Sequence, residues 1–106
     1  MEHVQTVLFE VPADKVAEIA RYKGLLAGLE GHKARLQQMP GFLDMMVTRS
    51  LNGEGPVQVV VDTRWRDPDS LADYEESELT IPDLLECFKG LVVPGSLQVY
   101  DMEVVI

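Results

Sequence analysis

From His3 to Val11 the chain alternates, with His3, Gln5, Val7, Phe9 and Val11 on one side and Val4, Thr6, Leu8 and Glu10 on the other. That period of two marks a strand half-buried in a sheet, and Pro12 ends it. Asp14 is placed to cap a long helix whose apolar positions Val16, Ile19, Tyr22, Leu26, Leu29 and Leu36 recur at helical spacing, and Met39-Pro40-Gly41 stops it. Gly24, Gly28 and Gly31 lie inside this helix, where each costs about 1 kcal/mol relative to alanine, so they imply either a bend or the close approach of a neighbouring backbone. Residues 42–51 and 57–66 read as two further strands, and Asn52-Gly53-Glu54-Gly55-Pro56 between them has the chemistry of a hairpin loop. Asp67-Pro68 offers an N-cap followed by proline at the first helical position, with Leu71 and Tyr74 as a short apolar stripe. Thr80 is placed to cap a further turn through Leu84, Leu85 and Phe88, with Asp83 near a capping-box position and Gly90 as the stop. Pro94-Gly95 turns the chain, and residues 97–106 alternate again. The order is β-α-β-β-α-β, the split β-α-β pattern of an α+β, ferredoxin-like fold with an antiparallel sheet.

Helices on one face of such a sheet should leave a polar stripe on the other. The strands do not supply one. Val57, Val59, Val61, Thr63 and Trp65 stand opposite Gln58, Val60, Asp62, Arg64 and Arg66, while Leu97, Val99, Asp101, Glu103 and Val105 stand opposite Tyr100, Met102, Val104 and Ile106. Taking Trp65, Tyr100 and Met102 as helix-facing leaves Val4, Leu8, Val60, Leu97 and Val99 on the second face, too apolar a patch to leave in water. The face carrying Leu8, Val60, Arg64, Val99 and Asp101 is therefore expected to meet a second copy across a two-fold axis, with opposite charges fixing register. An amphipathic face turned to solvent is the alternative.

Composition narrows the function. The 106 residues are 46% hydrophobic and 25% charged, as in one ordinary globular domain spanning residues 1–106. A formal net charge of −9 argues against nucleic acid and against an anionic membrane surface. No basic, apolar leader and no membrane-length apolar run occurs, so a cytoplasmic location is expected. One cysteine, Cys87, allows no intrachain disulfide, and two histidines without paired cysteines do not make a structural zinc site. No serine triad, phosphate loop or dinucleotide glycine pattern appears, and no cofactor is expected.

The segments His3-Val4-Gln5-Thr6-Val7-Leu8-Phe9, Met39-Pro40-Gly41-Phe42, Asp67-Pro68-Asp69-Ser70-Leu71-Ala72-Asp73-Tyr74, Phe88-Lys89-Gly90-Leu91-Val92 and Tyr100-Asp101-Met102-Glu103-Val104 resemble, in order and spacing, those of the dimeric α+β barrel proteins. The two ends resemble the stress-responsive A/B barrel family, while Pro40-Gly41-Phe42 and Thr63-Arg64-Trp65-Arg66 resemble the antibiotic biosynthesis monooxygenase family. The resemblance implies two ferredoxin-like subunits joining their sheets into one barrel, with a pocket between helices and sheet in each. A plant polyketide cyclase of the superfamily uses a tyrosine that Tyr74 matches, together with a histidine that would fall near Thr80, where this sequence has none. Haem-degrading relatives carry a strand tryptophan that Trp65 matches and an iron-binding histidine near the position of Leu84.

His3, on the expected helix side, carries an imidazole suited to general-base work or to a structural hydrogen bond at a strand end. Trp65 offers a flat apolar surface and an indole donor; Tyr22, Tyr74 and Tyr100 offer phenols; Gln5 offers an amide. His3, Trp65 and Tyr74 are thus the catalytic candidates, and Gln5, Tyr22, Trp65, Tyr74 and Tyr100 the ligand-binding ones. His32, beside Lys33 and Arg35, is expected in solvent; Cys87 is expected to be a small buried apolar group; Asp73, Glu75, Glu76 and Glu78 form a solvated face. Three functions follow: a homodimer binding a flat apolar or phenolic molecule between helices and sheet, a cofactor-free monooxygenase acting on a phenolic or anthrone-like substrate, or a dimeric scaffold without ligand.

Overall fold

The computed structural model describes residues 1–15, 23–51, 55–88 and 90–106, the side chains of 23–26 excepted. Four strands, β1 (His3–Val11), β2 (Phe42–Arg49), β3 (Val57–Trp65) and β4 (Gln98–Glu103), form one sheet in the order β2-β3-β1-β4, every neighbouring pair antiparallel. The helices are α1 (Lys23–Leu36), α2 (Pro68–Glu76) and α3 (Ile81–Glu86). This is the expected α+β, ferredoxin-like fold. Ala13–Lys15 form one turn of 3-10 helix. The expected helical positions Val16, Ile19 and Tyr22 lie outside the described residues.

The central strands obey the alternation that identifies them. Val57, Val59, Val61, Thr63 and Trp65 are buried, as are Gln5, Val7, Phe9 and Val11 beside them in register, while Gln58 and Arg64 are exposed. Against this face Leu36 of α1, Leu71 and Tyr74 of α2, Leu84 of α3 and Phe88 complete one core. Phe88 meets Phe9 edge-on at 4.8 Å between ring centroids. At Gly28 the neighbour is a side chain and not the backbone expected of the α1 glycines: a Cβ there would stand 3.4 Å from Cys87 Sγ.

Between α1 and β2, Met39-Pro40-Gly41-Phe42 makes the tight turn its sequence demands: Phe42 N–H donates to the Met39 carbonyl at 3.3 Å, and Gly41 adopts φ +82°. Asp67 caps α2, accepting the Ser70 N–H at 2.8 Å, with Pro68 in the first turn. That backbone hydrogen bond, supported by Ser70 and Arg66, lowers the Asp67 carboxyl from 3.8 to about 2. The depressed value means that the cap's contribution is complete above the ordinary carboxylate pKa and is lost as pH falls toward about 2. Asp67→Ala should therefore lower the melting temperature by several degrees at neutral pH, and the gap to the wild type should close in melts taken down to pH 2.

The edge strand departs from expectation. Val7 pairs with Val99 and Gln5 with Asp101, so Val99 and Asp101 share the helix-side face, while Tyr100 and Met102, opposite Thr6 and Val4, lie on the open one. Val99 and Asp101 thus leave the predicted interface face, and Tyr100 leaves the predicted pocket. The physical reason is that all six residues of β4 are exposed. A strand covered on neither side carries no burial pattern from which to read its facing.

Candidate functional site

The sheet sets out the helix-side residues in rows. Phe42, Trp65, His3 and Glu103 form one, and Met45, Thr63, Gln5 and Asp101 the next. Trp65, at the end of β3, has no exposed surface and stacks on Tyr74 of α2 at 4.7 Å with a 23° interplanar angle, while Phe42 meets its edge at 5.4 Å. Its indole N–H donates to Thr63 Oγ1 at 3.1 Å, and Thr63 pairs with Gln5. Of the predicted set, the structure therefore stacks Trp65 on Tyr74 and sets Gln5 one row from Trp65 on the same sheet face. His3 is in register with Trp65, and its Nδ1–H donates to the Met1 carbonyl at 3.1 Å, a strand-end structural bond. Leu84, where the resemblance would put an iron-binding histidine, is core.

Two polar atoms here stand out energetically. Gln5 Oε1 and the Tyr74 hydroxyl are buried without a hydrogen-bond partner among the described residues. Burial, and then the Glu75 and Asp83 charges, push the Tyr74 phenol from 10.0 up to about 12, so it stays neutral. An unsatisfied buried polar group costs about 1–3 kcal/mol. Such a group calls for an explanation, such as strain, a bound water or ion, or a functional role.

A third unpartnered atom belongs to a residue that the sequence reading places in solvent. His32 is fully buried: its Nδ1 lies 2.7 Å from Asp83 Oδ2, and its Nε2 has no partner among the described residues. Arg35 NH2 donates to the same carboxylate oxygen at 2.9 Å. Burial acts to raise the Asp83 pKa, but the hydrogen bonds from Arg35 and His32 and the Arg35 charge outweigh it and hold the carboxyl below its ordinary value. Flanking basic residues hide this role in the sequence, although His32 stands three residues after Leu29 and four before Leu36, on the apolar stripe of α1. Asp83, expected near a capping box, spends its carboxylate on α1 instead. Cys87 is half-buried, and burial together with the Asp83 charge pushes its thiol up, so it stays protonated.

The open face carries its own rows: Thr48, Val60, Leu8 and Gln98; Met46, Asp62, Thr6 and Tyr100; Asp44, Arg64, Val4 and Met102. Val4, Asp44, Met46, Asp62 and Arg64 line an open concavity of about 370 Å³. Thr6 donates to Asp62 at 2.6 Å, and Arg64 to Glu2 at 3.1 Å. Met46, Tyr100 and Met102 stand roughly half-exposed, so the expected apolar patch exists with these residues in place of Leu97 and Val99. No group of three or more His, Cys, Asp or Glu side chains among the described residues is arranged to hold a metal ion, and no described helix is long and apolar enough to cross a membrane.

No protein-family model matches the chain, and no curated protein sequence does. Solved structures do match in shape. A candidate antibiotic biosynthesis monooxygenase from Bacillus cereus superposes with a TM-score of 0.67 at 19% identity, over 100% of this chain and 93% of that one. The cofactor-independent oxygenase SnoaB from Streptomyces nogalater, in a variant form, gives 0.66 at 13% identity over 99% and 94%. A heme-degrading protein from Mycobacterium tuberculosis gives 0.59 at 20% identity over 100% and 96%.

Proposed function

We propose that this chain, which shares the α+β fold of the antibiotic biosynthesis monooxygenase structures, works as a homodimer whose subunits each bind a flat apolar or phenolic molecule between helices and sheet. The observation that carries the reading is the pair of unsatisfied polar atoms, Gln5 Oε1 and the Tyr74 hydroxyl, the latter on a ring stacked on Trp65 and the former one row away on the same sheet face. An amide oxygen that accepts and a phenol that donates or accepts suit a ligand bearing both a hydroxyl and a carbonyl, while Trp65 supplies the apolar surface. The named activity of SnoaB supports a second reading, in which the bound molecule is oxidised by dioxygen without a cofactor. Oxygen uptake with phenolic or anthrone-like substrates tests that reading, and a rate unchanged by Trp65→Phe and His3→Ala would remove those residues from it.

Tyr74→Phe tests the binding reading directly, because stability and binding should move in opposite directions. Removing a buried hydroxyl without a partner should raise the melting temperature of the free protein by a few degrees, on the order of 1 kcal/mol. It should also abolish the alkaline loss that the raised phenol imposes, which begins as pH climbs past 10 and grows toward about 12. The same variant should lose most of the thermal shift that phenols, quinones and hydroxycoumarins give the wild type. A wild type that shifts with none of these ligands points to the scaffold reading instead.

A further inference from the structure

The geometry points to His32 as a general base that takes a proton from the acidic hydroxyl of the ligand, with Asp83 as its positioning residue. The inference deepens the binding reading above and rests on it. Asp83 is a carboxylate, an acceptor only, that already accepts from Arg35 at 2.9 Å, so its 2.7 Å contact with His32 requires the proton on Nδ1. The neutral ring then carries its lone pair on Nε2, the nitrogen with no partner among the described residues. An imidazole in that tautomer, held through Nδ1–H by a partly exposed carboxylate, is arranged to accept a proton at Nε2 and to be stabilised as imidazolium.

Three observations support assigning this base to the ligand site. His32 has no exposed surface, so Nε2 lies within the protein interior. Asp83 lies close enough to Tyr74 for its charge to act on that phenol. The three unpartnered atoms, on α1, α2 and β1, come from elements that enclose the same core. A phenol or enol is the fitting substrate class. Its O–H bond breaks, the electron pair stays on oxygen, the proton joins Nε2, and the resulting anion faces an imidazolium whose charge Asp83 balances. No oxidant or cofactor enters the step. The salt link from Arg35 keeps Asp83 ionised, so that it orients the ring without taking the proton itself.

The test uses 7-hydroxycoumarin, whose neutral and anionic forms absorb at different wavelengths, at one pH unit below its own pKa, where about a tenth of the free dye is ionised. Dye bound to the wild type should be at least half anionic, an enrichment of about fivefold or more. His32→Gln should bind within about threefold of the wild-type affinity yet leave the bound dye as neutral as it is in water. Asp83→Asn, at a carboxylate only one-third exposed, should reduce the anionic fraction through loss of the tautomer, and it provides the same readout where His32→Gln does not fold. A purely structural role for either residue would change affinity or stability without changing the spectrum of the bound dye. Dye bound by the wild type in neutral form, or equally ionised in a folded variant, overturns the assignment of His32 and leaves the binding reading standing. A wild type that takes up no phenol overturns both.

Discussion

Replacing Gly41 with alanine is expected to cost about 3 kcal/mol or more, lowering the melting temperature by more than about 10 °C, through two separable effects. Gly41 sits at φ +82°, a backbone region where a Cβ costs about 1–2 kcal/mol. A Cβ there would also overlap Ser70 Oγ and stand 2.5 Å from Ser70 Cβ. Ser70 cannot easily yield, since it is buried in the first turn of α2 and its N–H is held by the Asp67 cap. The Gly41 carbonyl accepts the Arg66 N–H at 2.8 Å, so the turn, the end of β3 and the start of α2 form one joint. Ser70→Gly should reduce the cost of Gly41→Ala to the backbone term alone. Urea melts of the four proteins in this cycle give the coupling, and additive effects would mean that the turn and α2 do not meet as described. Because α2 carries Tyr74, the single variant should also weaken the phenol binding proposed above.

The two halves of that joint, though not their meeting, were legible in the sequence, because Pro40-Gly41 and Asp67-Pro68 act locally: a fixed proline φ, a glycine after it and a carboxylate over a helix N-terminus need no distant partner. The central strands were legible for a related reason. β1 and β3 are each covered on the helix side, so burial prints the alternation onto the chain. Two features were not readable. β4 is exposed along its whole length, and its large apolar residues Tyr100 and Met102 suggested the wrong face. His32 depends on Asp83, 51 residues later, and a contact of that range leaves no local signature beside Lys33 and Arg35. Of the predicted ligand set, Trp65 and Tyr74 stack and Gln5 lies one row away, because all three are interior positions on one sheet face and the helix over it. Tyr100 fails through the register of the edge strand, and Tyr22 lies outside the described residues.

Val60→Asp is the second substitution with a large expected effect, and it tests assembly. Val60 lies between Leu8 and Thr48 on the open face, one row from Asp62 and Met46. The apolar positions Val4, Leu8, Val60, Met46, Tyr100 and Met102 spread across all four strands and are interleaved with Asp44, Asp62 and Arg64. A two-fold axis through this face would bring each Arg64 toward the carboxylates of the other subunit while the apolar rows bury one another, over a total area near ~1,600 Å² if the interface is of standard size. An aspartate at position 60 would then place an uncompensated charge beside Asp62 in a region emptied of water, at a cost of several kcal/mol, and symmetry imposes it twice per dimer. Sedimentation at matched concentration should therefore show a dimeric wild type, a monomeric or unfolded Val60→Asp and an unchanged Glu76→Lys, the last because Glu76 is exposed at the end of α2. A monomeric wild type, or a Val60→Asp dimer as stable as the parent, would show that the open face meets solvent, with Thr6 and Glu2 holding its charged groups Asp62 and Arg64.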